Sequence, residues 1–312
     1  MTENAPKVLI ATEKPFSADA KGAVVKRLED AGLRVEVLEK YPNEAALRSA
    51  IADAQAVMVR SDDINAGVLA AGKALKLVVR AGAGYDNVDC AAAKAKDIAV
   101  MNTPGQNSNA VAELAFGMMI YAARGGFDGK SGTELRGKTL GIHALGNVGM
   151  NVLRLAKGFE MEVSAFDPFV DAKVIEATGA KPVQSVEALY KSCQYVSLHI
   201  PNTPVTKGSI GEKLLMSMPK GGTLVNTARK EVIDEAGLLA AMRGRSDLQY
   251  LTDIGPSEPT EAALKTDFAQ RFFMTPKKMG AQTEEANFNA GLAAANQIIG
   301  FLQRGERVYI VN

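Results

Sequence analysis

The stretch TLGIHALGNVG, Thr139 to Gly149, constrains this chain more than any other. An apolar run, Thr139 to Ile142, enters a glycine-rich turn, and the helix-like segment NVGMNVLRLAKGF follows. About twenty residues further on, MEVSAFDP reads as a second strand ending in Asp167. Strand, turn, helix, strand and acid in that order is the layout of a dinucleotide-binding unit. A tight turn through Leu145, Gly146, Asn147, Val148 and Gly149 brings backbone N–H groups against a pyrophosphate. The helix N-terminus adds partial positive charge there. Asp167 then takes the ribose hydroxyls and repels a 2′-phosphate, which favours NAD over NADP. The pattern G-x-G-x-x-G is incomplete, because Ala144 stands in its first place before Gly146 and Gly149. An alanine is tolerable there if its φ stays negative. An ordinary strand–turn–helix stays open on this stretch alone, and the spacing to Asp167 tips the reading toward a cofactor.

The turn begins far into the chain, so a separate unit has to precede it. A length of 312 residues allows two domains with well-buried cores. A net charge of +1 gives no electrostatic reason to expect nucleic acid or a membrane surface. No transmembrane run is apparent, and MTENAPKVLIATEKPF has no charged n-region before its short apolar stretch, so no signal peptide is expected. Cys90 and Cys193 show neither metal-ligand nor disulfide spacing; both are expected to be buried thiols in a reducing, cytoplasmic setting, and no metal site is expected.

Before the turn, strand and helix signals alternate. KVLIAT, RVEVLE, AVMVRS and LKLVVRAG read as strands, with helices over Ala18–Ala31 and Glu44–Ala52. Such alternation predicts a parallel sheet flanked by helices, whose working surface lies beyond the carboxyl ends of the strands. Arg60-Ser61 and the loop Arg80 to Gly84 fall at two of those ends and suggest an anion site. Asn107 to Arg124 reads as a mostly apolar helix connecting two domains. Beyond Asp167 come a helix over Asp171–Thr178, Val186–Ser192, the strand YVSLHIP, GGTLVNTARKEVID as a strand entering a loop, and a helix over Leu238–Arg245. Two short apolar runs ending in polar loops, LQYLTDIGPSEP and RFFMTPKKMGAQT, follow. A long helix over Glu284–Arg304 and a closing strand VYIV end the chain.

Taken together, RAGAGYDNVD, NTPGQNSNAVAELAFGMM, ELRGKTLGIHALGNVG, SLHIPNTPVTKGSI, NTARKEVIDEAGL, DIGPSEP and GAQTEEANFNAG, running to the closing YIVN, resemble the D-isomer-specific 2-hydroxyacid dehydrogenases. That resemblance implies an α/β protein of two domains, with a Rossmann-type NAD domain (102–283) inserted in a flavodoxin-like substrate domain (1–101 and 284–312). It implies NAD-dependent oxidation of D-3-phosphoglycerate to 3-phosphohydroxypyruvate, the opening step of serine synthesis, in a homodimer joined through its cofactor domains. The C-terminal regulatory domains of longer members are expected to be absent, and with them serine feedback. The runner-up is a glyoxylate or hydroxypyruvate reductase, which would leave Arg60 idle. The alternative of another class is a non-catalytic NAD-sensing, corepressor-like protein.

Residue roles follow from the same resemblance. Arg229 matches the arginine that grips the substrate carboxylate and polarises the keto oxygen, and Glu258 the carboxylate that tunes the acid/base group. Asp253 matches a residue near the nicotinamide amide. His199, Pro201 and Thr206 belong to a loop beside the cofactor, His199 as a hydrogen-bonded loop residue, and Thr227, Ala228, Arg229 and Gly280 join the cofactor set. Ala83 and Gly84 lie in the loop that receives the substrate carboxylate, Arg60 and Ser61 fit a phosphate, and Asn107 and Lys277 complete the substrate set. One departure matters: the family's acid/base histidine stands in Pro-His-x-Gly, and here the segment reads Thr275-Pro276-Lys277-Lys278-Met279-Gly280. Counting back from Gly280 puts Lys278 in the histidine's place. A lysine can act only if its pKa is lowered; burial and a neighbouring cation push it down, and Glu258 pushes it up. Lys277 stays open as the acting residue.

Overall fold

The computed structural model describes residues 5–312, so the first residues read above for a leader lie outside it. The chain divides into two compact units, one running up to Asn107 and resuming at Gln282–Asn312, the other Ser108–Ala281. These divisions stand a few residues from the expected ones at 101 and 283.

The first unit carries β1 (Lys7–Thr12), β2 (Arg34–Glu39), β3 (Ala56–Val59), β4 (Leu77–Arg80) and β5 (Ala99–Asn102), paired in the order β2-β1-β3-β4-β5, all parallel. That is the flavodoxin-like order. β1, β3 and β5 are buried along their whole length, as β-branched and aliphatic runs covered on both faces should be. Alternate residues feed two cores: Val8, Ile10 and Met58 pack with the helices Ala18–Asp30 and Glu284–Arg304, while Leu9, Ala11 and Val57 pack with Glu44–Ile51, Ala66–Ala71 and Cys90–Lys94. The long closing helix is held at both ends. Thr283 accepts the Ala286 N–H at 3.1 Å, and Gly305 turns left-handed (φ 68°) while Glu306 N donates to Gly300 O. The expected last strand VYIV does not form. Ile310 makes only an isolated antiparallel bridge to Met101, and Tyr309 sits at φ 69°, a value that interrupts an extended strand.

The second unit carries β6 (Thr139–His143), β7 (Glu162–Phe166), β8 (Lys181–Pro182), β9 (Tyr195–Leu198), β10 (Thr223–Asn226), β11 (Gln249–Thr252) and β12 (Phe272–Met274). Their order is β12-β11-β10-β9-β6-β7-β8, again parallel throughout, which is the Rossmann order with one further edge strand. The order reverses at β6, whose neighbours are β7 and β9. The helix Ser108–Ala123 belongs to this unit. It packs with Asn147–Gly158 over one face, where Phe116 stacks on Phe159 with centroids 4.9 Å apart. The helices Val186–Ser192, Glu212–Ser217, Glu235–Gly244 and Glu258–Asp267 cover the other. Helix Glu235–Gly244 starts three residues before the expected Leu238, because Asp234 caps it by accepting the Gly237 N–H at 3.2 Å. Cys193 is buried, but Cys90 is only half-buried, at the start of a short helix. No helix of the described residues is long and apolar enough to cross a membrane, and no cluster of metal-ligating side chains occurs among them.

Candidate functional site

In the second unit the residues singled out from sequence come to the carboxyl edge of one sheet. His143 ends β6, Asp167 follows β7, His199 follows β9, Thr227 follows β10, Asp253 follows β11, and Thr275 follows β12. A parallel sheet dictates this: every crossover helix returns the chain to the opposite edge, so all strand ends meet on one side.

The glycine turn is built by contact at two of its positions. A Cβ on Gly149 would fall far inside contact distance of Ala144 O, and 3.1 Å from Ile142 Cγ2, so only glycine lets the helix Asn147–Gly158 start this close to β6. A Cβ on Gly146 would meet nothing within 4 Å, so the turn is open at this position. Ala144 departs from expectation. Its φ is +79°, not negative, a left-handed conformation imposed while its N–H donates to Phe166 O at 2.9 Å. Asp167 Oδ2 accepts the Leu145 N–H and Oδ1 the Phe169 N–H, both at 2.9 Å, which ties the acid to the turn.

Along this edge of the sheet several buried polar atoms have no partner among the described residues: Thr227 Oγ1, His199 Nε2, Asp253 Oδ1 and His143 Nδ1. Three of these residues belong to the set the sequence implied for a cofactor, and with the open side of Gly146 they fit a dinucleotide. His199 is held through its backbone, whose N–H donates to His143 O at 2.9 Å, while its Nε2 has no partner among the described residues. Burial drives both imidazoles toward the neutral form, His143 down to about 4 and His199 down to about 3, with His143 pushing His199 further. Pro201 and Thr206 stay in one loop, where Thr206 Oγ1 donates to Pro201 O at 2.5 Å.

Arg229 leaves the end of β10 through a loop braced by Asn226, a fully buried residue that sequence reasoning did not single out. Asn226 Oδ1 accepts the Ala228 N–H and its Nδ2 donates to Arg229 O, both at 3.0 Å, while Thr252 Oγ1 donates to Asn226 O at 2.9 Å. The signal was present in the polar residue ending an apolar strand, but its partners lie in a loop that sequence alone does not fold.

The lysine loop hangs on Asp253, which is 1% exposed. Its Oδ2 accepts Gly280 N at 2.7 Å and Met279 N at 3.2 Å, and Thr275 Oγ1 donates to Lys277 O at 2.7 Å. Burial raises the Asp253 carboxyl above the usual range, against those two amides and the charge of Lys278. Lys277 and Lys278 are both exposed, so the burial expected to favour a neutral lysine is not found in this structure. Glu258 is exposed on the first turn of its helix, after a turn whose Ser257 and Thr260 bind Glu235.

In the first unit, Arg60 and Ser61 follow β3, Arg80 ends β4, and Ala83, Gly84 and Asn107 lie in the loops after β4 and β5. Arg60 is heavily engaged. It donates to Lys14 O (2.9 Å), Pro15 O (2.8 Å) and Asn287 Oδ1, and its guanidinium stacks 5.1 Å over Phe16. Its backbone carbonyl accepts Arg80 Nε at 2.9 Å. Arg60 is therefore engaged by protein groups and would not be idle without a phosphate.

A family profile described as "D-isomer specific 2-hydroxyacid dehydrogenase, NAD binding domain" matches residues 93–277. The chain is 36% identical to the D-3-phosphoglycerate dehydrogenase of Methanocaldococcus jannaschii over 96% of its own length and 58% of that protein's. To the enzyme of the same name from Rattus norvegicus it is 32% identical over 92% of its length and 56% of that protein's. It thus spans a little over half the length of these curated relatives. Among solved structures, the NAD+-bound 3-phosphoglycerate dehydrogenase of Entamoeba histolytica superposes with a TM-score of 0.90 at 46% identity, covering 99% of both chains.

Proposed function

The chain belongs to the D-isomer-specific 2-hydroxyacid dehydrogenases, and on that premise we propose that it oxidises D-3-phosphoglycerate to 3-phosphohydroxypyruvate with NAD. The observation that carries this reading is the match, over the whole of both chains, to a 3-phosphoglycerate dehydrogenase solved with NAD+.

Bound NAD supplies the acceptor for the hydride leaving C2. Arg229 holds the substrate carboxylate in its planar fork and polarises the oxygen that becomes the ketone. Lys278, neutral when it acts, takes the C2 hydroxyl proton at Nζ as the carbonyl forms. Counting back from Gly280 puts Lys278, not Lys277, in the place of the family's histidine, which favours it for this task. Glu258 orients the lysine. Asn226 and Asp253 keep the Arg229 and Lys278 loops in place through the amide contacts described above. The same reading takes the protein as a cytoplasmic homodimer, an assembly that light scattering on the purified chain reads directly.

The test is NADH formation with D-3-phosphoglycerate, and NADH consumption with phosphohydroxypyruvate, hydroxypyruvate and glyoxylate. A strong preference in kcat/KM for the phosphorylated acids supports the reading. Equal rates on the plain acids replace it with a general 2-ketoacid reductase, and NADH binding without turnover replaces it with an NAD-responsive binding protein.

A further inference from the structure

Glu235 lies outside every set assigned so far. It is the first residue of the helix Glu235–Gly244 and follows Arg229 closely in sequence. The segment between them is rigid. Arg229 precedes the 3-10 turn Lys230–Val232, Ile210 N donates to Val232 O at 3.0 Å, and Asp234 N donates to Ile210 O at 2.9 Å.

From that platform one carboxylate gathers three donors of another element. Glu235 Oε1 accepts the Ser257 N–H at 2.7 Å; Oε2 accepts Thr260 Oγ1 at 2.6 Å and also Ser257 Oγ. Ser257 stands at the N-cap of helix Glu258–Asp267 but makes no capping bond with its own side chain. Glu235 binds the N–H and hydroxyl of this N-cap residue and places a negative charge at a helix N-terminus, where the dipole favours it. Burial works against its ionisation, and the bonds from Ser257 and Thr260 overcome it, so the carboxyl sits below its ordinary range.

We infer that Glu235 is a positioning residue that fixes the turn bearing Glu258 to the platform bearing Arg229. Glu258 is flanked by Ser257 and Thr260, so the contacts that hold those two set where its backbone points. The inference rests on the dehydrogenase reading above, because the benefit of fixing Glu258 is the lysine it serves.

The experiment compares Glu235→Ala and Glu235→Gln with wild type in steady-state kinetics across pH and in amide hydrogen exchange of the peptide spanning Ser257. In Glu235→Ala the peptide should exchange faster, and kcat should fall on the order of tenfold to a hundredfold with little change in KM. The pH profile of kcat should also change, because the carboxylate that serves the proton-transferring lysine is displaced. Glutamine offers a carbonyl to Ser257 N and an amide to hydroxyls that can rotate, so it should restore kcat to within about threefold. Faster exchange with unchanged kcat and pH profile in an active wild type would overturn the positioning role alone. A wild type inactive on every D-2-hydroxy acid tried would overturn the dehydrogenase reading, and the role of Glu235 with it.

Discussion

Replacing Gly149 by alanine tests how the cofactor turn is built. The added Cβ would press on Ala144 O, a backbone atom pinned between β6 and the turn, and would sit 3.1 Å from Ile142 Cγ2. Carbon and carbonyl oxygen settle no closer than about 3.3 Å, so the helix Asn147–Gly158 must withdraw by roughly an ångström. Overpacking of this kind costs about 1–3 kcal/mol, and a rigid backbone partner puts it at the upper end. Alanine in a helix returns about 1 kcal/mol relative to glycine. The net expectation is a loss of about 2 kcal/mol in urea unfolding with an unchanged slope. If, as proposed, the N–H groups of that helix meet the pyrophosphate, NADH affinity measured by fluorescence titration should also drop, by about tenfold or more. Gly146→Ala is the internal control. Its Cβ meets nothing within 4 Å, so stability should change by less than about 1 kcal/mol, yet on the proposed reading the methyl enters space the cofactor takes, and NADH binding should still weaken. A Gly149→Ala protein as stable as wild type, or a Gly146→Ala protein that binds NADH normally, would refute this account of the turn.

Two further outcomes follow from the same region. Ala144→Gly should stabilise the chain by about 0.5–1 kcal/mol, since relief of a left-handed alanine, worth about 1–2 kcal/mol, outweighs glycine's extra freedom in the unfolded chain; a lower urea midpoint would contradict it. Stability should also decline as pH falls below about 6.5, where the unfolded chain protonates its histidines. His143, held down to about 4 by burial, has a depressed folded-state pKa. Its contribution is therefore complete above the unfolded value and is lost as pH falls toward the folded one, at a cost on the order of 3 kcal/mol. Urea unfolding at pH 7, 6 and 5 reads this slope, and His143→Gln should flatten it; an equal slope in the variant would remove His143 from the explanation.

The parallel two-sheet fold was legible because the apolar runs before each strand end are short and continuous, and the acids, arginines and lysines that matter follow those runs directly. Asp167, His199, Thr227, Asp253 and Thr275 each follow a strand, so their gathering at one edge is a consequence of parallel topology. Other features depend on tertiary contact. Ala144 takes its positive φ while bonded to Phe166 O of the neighbouring strand, and only its place in the glycine pattern, not its own residue type, announces it. The bracing roles of Asn226 and Glu235 come from loops that fold back on them. Helix Glu258–Asp267 lacks apolar periodicity and begins Glu-Pro, a start signal that reads as loop when no apolar face follows. VYIV shows the converse error: an apolar run near the end of the chain had strand composition but only one bridging partner.

The central claim is that Lys278 does the proton transfer usually given to histidine in this family. The direct measurement is kcat against pH for NAD reduction with D-3-phosphoglycerate in wild type, Lys278→Ala, Lys277→Ala and Lys278→His, with NADH binding measured alongside. The account predicts that Lys278→Ala loses on the order of 10²–10⁴-fold in kcat while still binding NADH, that Lys277→Ala keeps its kcat, and that Lys278→His recovers part of the rate with its pH limb moved toward the imidazole range. Full activity in Lys278→Ala, or loss confined to Lys277→Ala, would contradict it.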